Sequence, residues 1–210
     1  MGRLGRPLGF FRPLESINWD MTFATKITVT RILLVPVFVV LAFRYGASMD
    51  AGHPDPWLRW LAVAVFVIAA VSDGIDGWVA RHFHQQSQLG AFLDPLADKL
   101  LMGWGVLVGT LVDWGEVGWH LPMWFAIVVW SRDAMMIIGL IILKRHKERI
   151  EFKPHFSGKF ATATQFITLA WVTFGILKID PVWPCAVAAF FTAWSALAYF
   201  EQARGLLRKS

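Results

Sequence analysis

Six apolar stretches, at residues 27–43, 57–80, 91–112, 121–143, 160–177 and 183–200, take up more than half of this chain. A helix needs roughly 17–25 apolar residues to cross the hydrocarbon core of a bilayer, and each stretch has that length. Lipid offers the backbone no hydrogen-bond partners, so only helices and closed barrels satisfy it there. The period-2 alternation that barrel strands require is absent from these stretches. The sequence therefore predicts an all-α, polytopic membrane protein with six transmembrane helices. Composition agrees, with 56% hydrophobic residues and only 17% charged ones, more apolar than a soluble domain of similar size. The lone cysteine, Cys185, excludes an internal disulfide and reads as a small buried hydrophobe.

The connecting segments set the orientation. Arg3, Arg6, Arg12 and Lys26 precede the first span, Arg81, His82 and His84 separate the second from the third, and "KRHKERIEFKPHFSGK" separates the fourth from the fifth. Arg204, Arg208 and Lys209 follow the sixth. The opposite set is poorer: Arg44 and Arg59, none in "DWGEVGWH", and Lys178 alone. By the positive-inside rule both termini face the cytoplasm. The net charge of +5 thus reads as attraction to anionic lipid headgroups, with no call for nucleic acid. Residues 1–20 form a basic N-terminal juxtamembrane arm, with Met21 an alternative start, and residues 21–210 a single membrane domain. Trp57, Trp60, Trp114, Trp119 and Trp183 fall near span ends, where interfacial aromatics anchor a bundle.

Against this background the stretch "SDGIDGWVARHFHQQSQLGAFLDPLADKLL" stands out. Asp73, Asp76, Gly77, Ala80 and Arg81 lie at offsets that share one helical stripe, and Asp94 and Asp98 share a face of the next span, with Gly90 a turn earlier. The short link between the two spans brings both acidic faces to the cytoplasmic end. Four carboxylates in a low-dielectric site cannot all remain charged without cations. Hard oxygen ligands of this kind suit two divalent ions, Mg²⁺ or Mn²⁺. Such ions stabilise charge at an attacked phosphorus centre. Arg81 offers a fixed guanidinium to a phosphate oxygen, and Gly77 and Ala80 let a substrate lie close to the helix. The other class of reading is a proton-coupled transporter, which predicts acids spread along a path rather than gathered at one end.

The pattern Asp73-x-x-Asp76-Gly77-x-x-Ala80-Arg81, followed by Gly90-x-x-x-Asp94-x-x-x-Asp98, resembles the signature of the CDP-alcohol phosphotransferases, and all eight positions match. The resemblance implies transfer of a phosphatidyl group from CDP-diacylglycerol to an alcohol, with release of CMP. It implies that Asp73, Asp76 and Asp94 hold the metal ions, with Asp98 beside them as the catalytic base. Gly77, Ala80 and Arg81 would bind CDP-diacylglycerol. It further implies a homodimer in a bacterial-type inner membrane, its active site facing the cytoplasm.

The identity of the alcohol rests on weaker signals. "TKITVTRILLVP" resembles the opening of the phosphatidylglycerophosphate-synthase and eukaryotic-type cardiolipin-synthase branches: Thr28 and Arg31 match as CDP-diacylglycerol contacts, while Thr25 replaces the usual Asn. "GKFATATQ" is similar to a Gly-Lys-x-Lys-Thr-x-x-Gln stretch of the glycerophosphate enzymes, with Lys159, Thr162 and Gln165 in place and Ala161 where a second Lys stands. "SRD" puts Arg132 inside the fourth span, where a guanidinium needs an acidic partner or a substrate. Arg132 and Lys159 are the candidate acceptor-binding residues. Glycerol 3-phosphate is the acceptor expected, with phosphatidylglycerol as the alternative.

Overall fold

The computed structural model describes the backbone over residues 23–82, 88–146, 156–175 and 179–208, and side chains over 25–72, 90, 93–139, 157–175 and 179–201. The arm at 1–20 lies outside the described residues. Six helices follow in order: α1 Phe23–Asp50, α2 Pro56–His82, α3 Gln88–Leu111, α4 Met123–His146, α5 Phe156–Phe174 and α6 Val182–Arg208. Among the described residues there is no strand. Thr25–Asp50 and Val182–Glu201 are long and apolar enough to cross a membrane.

Each expected stretch contains a helix, and the differences at the ends have local causes. α1 continues through "YGASMD" until Gly52 adopts φ 75°. There the Gly52 amide donates to Met49 O and the His53 amide to Ser48 O, closing the last turn. α5 stops at Phe174, short of the expected end, because Gly175 turns left-handed at φ 60°. α2 and α6 begin alike. Asp55 Oδ1 accepts from the Trp57 amide and Asp180 Oδ1 from the Val182 amide, both at 2.9 Å, with Pro56 and Pro181 directly after the capping acid. Proline costs nothing at the first helical position, whose N–H has no partner in the helix.

α1 packs on α2 and α3, α6 on α4 and α5, and α3 touches α2, α4 and α5. α3 is thus the element joining the two halves. The α1 stripe facing inward is Thr25, Thr28, Arg31, Val35, Phe38, Ala42 and Tyr45, polar at its start and apolar beyond. α6 turns Cys185, Ala188, Thr192 and Ser195 inward, all small, so its backbone lies close to its neighbours. α3 approaches α5 as closely: a Cβ at Gly105 would stand 2.5 Å from Leu169 Cδ2. The opposite faces expose Leu33, Val40, Ile68, Ile127, Phe190 and Leu197, as a lipid-facing surface would.

One expectation fails. Trp57 and Trp183 are exposed as interfacial anchors should be, but Trp114 is 1% exposed. Its amide donates to Trp119 O, folding the α3–α4 loop back so that the indole packs on Tyr45 with ring centroids 5.9 Å apart. Trp119 is half-buried, its Nε1 donating to Val172 O.

Candidate active site

The start of α1, the end of α2 and the start of α3 meet at one end of the bundle. Asp73, Asp76, Gly77, Ala80 and Arg81 occupy the last turns of α2. Their side chains lie outside the described residues. Asp94 and Asp98 stand one turn apart near the start of α3. Pro95 follows Asp94 within the helix and, lacking an N–H, leaves the carbonyl four residues earlier without its helical donor.

The two described acids face different neighbours. Asp94 turns to α1, where the buried Thr28 hydroxyl donates to its Oδ1 at 2.7 Å. Arg31 is buried one turn further along the same α1 stripe. Asp98 instead lines a cavity of about 510 Å³, within the roughly 300–1,000 Å³ usual for small-molecule sites. The cavity draws Lys99 and Met102 from α3, Arg132 and Asp133 from α4, Lys159 and Gln165 from α5, and Tyr199 from α6, among others. The residues singled out as base and as acceptor contacts, Asp98, Arg132 and Lys159, therefore share one chamber.

Arg132 is 8% exposed and needs partners. Its Nη1 meets Asp133 Oδ1 at 2.8 Å and its Nη2 points to Ser195 Oγ at 3.4 Å. Asp133 Oδ2 also meets Lys99 Nζ at 2.9 Å. Gln165 Nε2 donates to Thr192 Oγ1 at 2.9 Å, fixing the amide between α5 and α6. Gly158 lies where α4, α5 and α6 converge: a Cβ there would stand 3.0 Å from Tyr199 Oη and 3.6 Å from Arg132 Nη2. Ala161, in the position of the missing lysine, is fully buried and does not line the cavity.

Lys99, Asp133 and Tyr199 belong to this chamber without having been singled out in the sequence. Asp133 carried a signal, being ionisable inside an apolar stretch. Lys99 carried one only through its neighbour Asp98. Tyr199 carried none.

Among the described residues no three His, Cys, Asp or Glu gather as a metal-binding group. Asp94 and Asp98 supply hard carboxylate oxygens at adjoining turns, and this donor chemistry fits Mg²⁺ or Mn²⁺.

The sequence model of the CDP-alcohol phosphatidyltransferase family matches residues 21–199. The chain belongs to this family. Two curated relatives, from Salmonella paratyphi A and Escherichia coli, are each 31% identical to it and bear the name CDP-diacylglycerol--glycerol-3-phosphate 3-phosphatidyltransferase. The first alignment covers 86% of this chain and 94% of the relative, the second 86% and 93%. The family match takes in all six helices up to Tyr199, so both the acidic turns and the chamber of this CDP-alcohol phosphatidyltransferase lie within it.

Proposed function

We propose that this chain is a CDP-diacylglycerol--glycerol-3-phosphate 3-phosphatidyltransferase of phospholipid biosynthesis. The names of the relatives support the choice of substrates. The observation that carries it is the single chamber in which a carboxylate, Asp98, faces Lys99, Arg132 and Lys159. An anionic alcohol needs cations for its phosphate and a base for its hydroxyl, and this chamber offers both.

Arg31, Thr28 and Arg81, with Gly77 and Ala80, hold the CDP end of the donor against α1 and α2. The acceptor lies in the chamber, its phosphate toward Arg132 and Lys159, its hydroxyl toward Asp98. The hydroxyl oxygen bonds to the β-phosphorus that carries diacylglycerol, and its proton passes to an Asp98 carboxylate oxygen. The bond from that phosphorus to CMP breaks and CMP leaves. Positioning and charge do most of the catalysis in such a transfer, and a base typically adds about 10²–10⁴-fold. Two divalent ions, Mg²⁺ or Mn²⁺, held by Asp73, Asp76 and Asp94 with Asp98 beside them, would neutralise the diphosphate.

The six helices all span the membrane, with both termini and the acidic end in the cytoplasm. The loop charges support this orientation, and the exposed apolar faces support burial in lipid. A cytoplasmic chamber meets a water-soluble acceptor where it is made. The resemblance to the family supports a homodimer.

The test is product analysis with purified full-length protein, CDP-diacylglycerol, Mg²⁺ or Mn²⁺, and a panel of alcohols. Phosphatidylglycerophosphate and CMP from glycerol 3-phosphate are expected. Cardiolipin formed only on adding phosphatidylglycerol would replace this reading with the alternative, and transport without CMP release would refute the family chemistry for this chain.

A further inference from the structure

Asp133 stands at the wall of the chamber and meets two cations at once, Arg132 Nη1 at 2.8 Å and Lys99 Nζ at 2.9 Å, one on each carboxylate oxygen. The cations come from different helices, and all three side chains line the cavity next to Asp98. They differ in freedom. Arg132 is buried and restrained by Ser195 as well, whereas the Lys99 side chain is 39% exposed. A lysine ammonium on a flexible stem extends into water unless something holds it. Two cations on one carboxylate also leave a net positive charge, so the cluster still attracts an anion.

We propose that Asp133 is a positioning residue for the acceptor, holding Lys99 beside Arg132 so that both present themselves to the acceptor's phosphate. The proposal rests on the reading of the substrate as a phosphate-bearing alcohol. It gives α3 a double part: Asp98 faces the hydroxyl end of the acceptor while its neighbour in sequence, Lys99, faces the phosphate end. A short acceptor held at both ends spans those two residues and is registered against the base. It also accounts for the chamber's cations where Ala161 supplies none.

Steady-state kinetics of the full-length enzyme test this, with thermal midpoints measured alongside. Asp133→Asn should raise KM for glycerol 3-phosphate about tenfold, with kcat and KM for CDP-diacylglycerol within about twofold, since ground and transition states lose the same contact. The midpoint should fall as well, because Arg132 stays buried without its counter-ion, and Asp133→Glu should recover most of both losses. Lys99→Gln should reproduce the rise in KM, and being partly exposed it decides the matter if Asp133→Asn does not fold. An unchanged acceptor KM in Lys99→Gln overturns the proposal. So does a fall in kcat with a lowered midpoint and unchanged KM in Asp133→Asn, the mark of an ion pair that only ties α3 to α4. Wild-type enzyme that forms no phosphatidylglycerophosphate refutes the functional reading, and the proposal with it; active wild type with indifferent variants refutes the proposal alone.

Discussion

The Thr28 hydroxyl on α1 donates to Asp94 Oδ1 on α3 at 2.7 Å, across 66 residues of sequence. A carboxylate that accepts a hydrogen bond is held in one orientation. Thr28→Val keeps the shape and removes the donor. We expect kcat/KM for CDP-diacylglycerol to fall about tenfold and the Mg²⁺ concentration for half-maximal rate to rise. A metal titration with unchanged midpoint would contradict the link between this bond and the acidic site.

Asp94 and Asp98 face different neighbours, and their variants should differ accordingly. Asp94→Asn should weaken both metal binding and donor binding. Asp98→Asn should leave donor binding near wild type in an equilibrium assay while lowering CMP release by about 10²–10⁴-fold. Excess chelator should abolish wild-type turnover. Turnover of Asp98→Asn near the wild-type rate would remove this residue from the role of base.

Lys159 and Arg132 share the chamber but not the same burial. Lys159 is exposed on the first turn of α5, so Lys159→Ala should raise KM for glycerol 3-phosphate with little change in kcat or thermal midpoint. Arg132 is buried and bonded to Asp133 and Ser195. Arg132→Ala should therefore lower the midpoint as well as raise KM, because it unmakes buried polar contacts. Equal midpoints for the two variants would contradict this contrast.

Gly105 and Gly103 sit two positions apart on α3 with opposite surroundings. A Cβ at 105 meets Leu169 Cδ2 at 2.5 Å, whereas one at 103 meets nothing within 4 Å. Leu169 is fully buried and cannot easily move aside. Gly105→Ala should destabilise by about 1–3 kcal/mol. Gly103→Ala should be neutral or stabilising by up to about 1 kcal/mol, since alanine favours helix. Melting curves in detergent decide between them.

Asp113, in the loop after α3, gives a pH dependence remote from the chamber. Partial burial disfavours its charge, but the Gly118 amide and the His120 ring outweigh that and hold its carboxyl below the usual value of 3.8. In the window below 3.8 the unfolded chain binds more protons at this site than the folded one, so stability rises with pH there. The contribution is full above that value and is lost as pH falls through the folded pKa. Asp113→Asn should lower the thermal midpoint near neutral pH, and its difference from wild type should shrink below pH 3.8.

The helices and the acidic turns were legible in the sequence because both obey short-range rules: apolar runs of spanning length, and acids at offsets of three and four. The chamber was not legible as a chamber. Its walls come from four helices, and Asp98, Arg132 and Lys159 could be chosen only one at a time, by their cost in lipid or by resemblance. That Asp133 holds Lys99 depends on how α3 and α4 are rotated about their axes, which helical periodicity alone does not fix. Trp114 went astray for a related reason: its place near a span end is a property of sequence, its burial a property of the loop that folds over it.

At the end of the bundle remote from the chamber, Arg59 donates from Nη2 to Thr173 O and Phe174 O, while its guanidinium lies against Gly115 and Gly175. One side chain thus fastens the start of α2, the α3–α4 loop and the end of α5. A side chain that serves three elements at once makes their parting a single event: none of them can draw away without stranding the guanidinium or the carbonyls it satisfies.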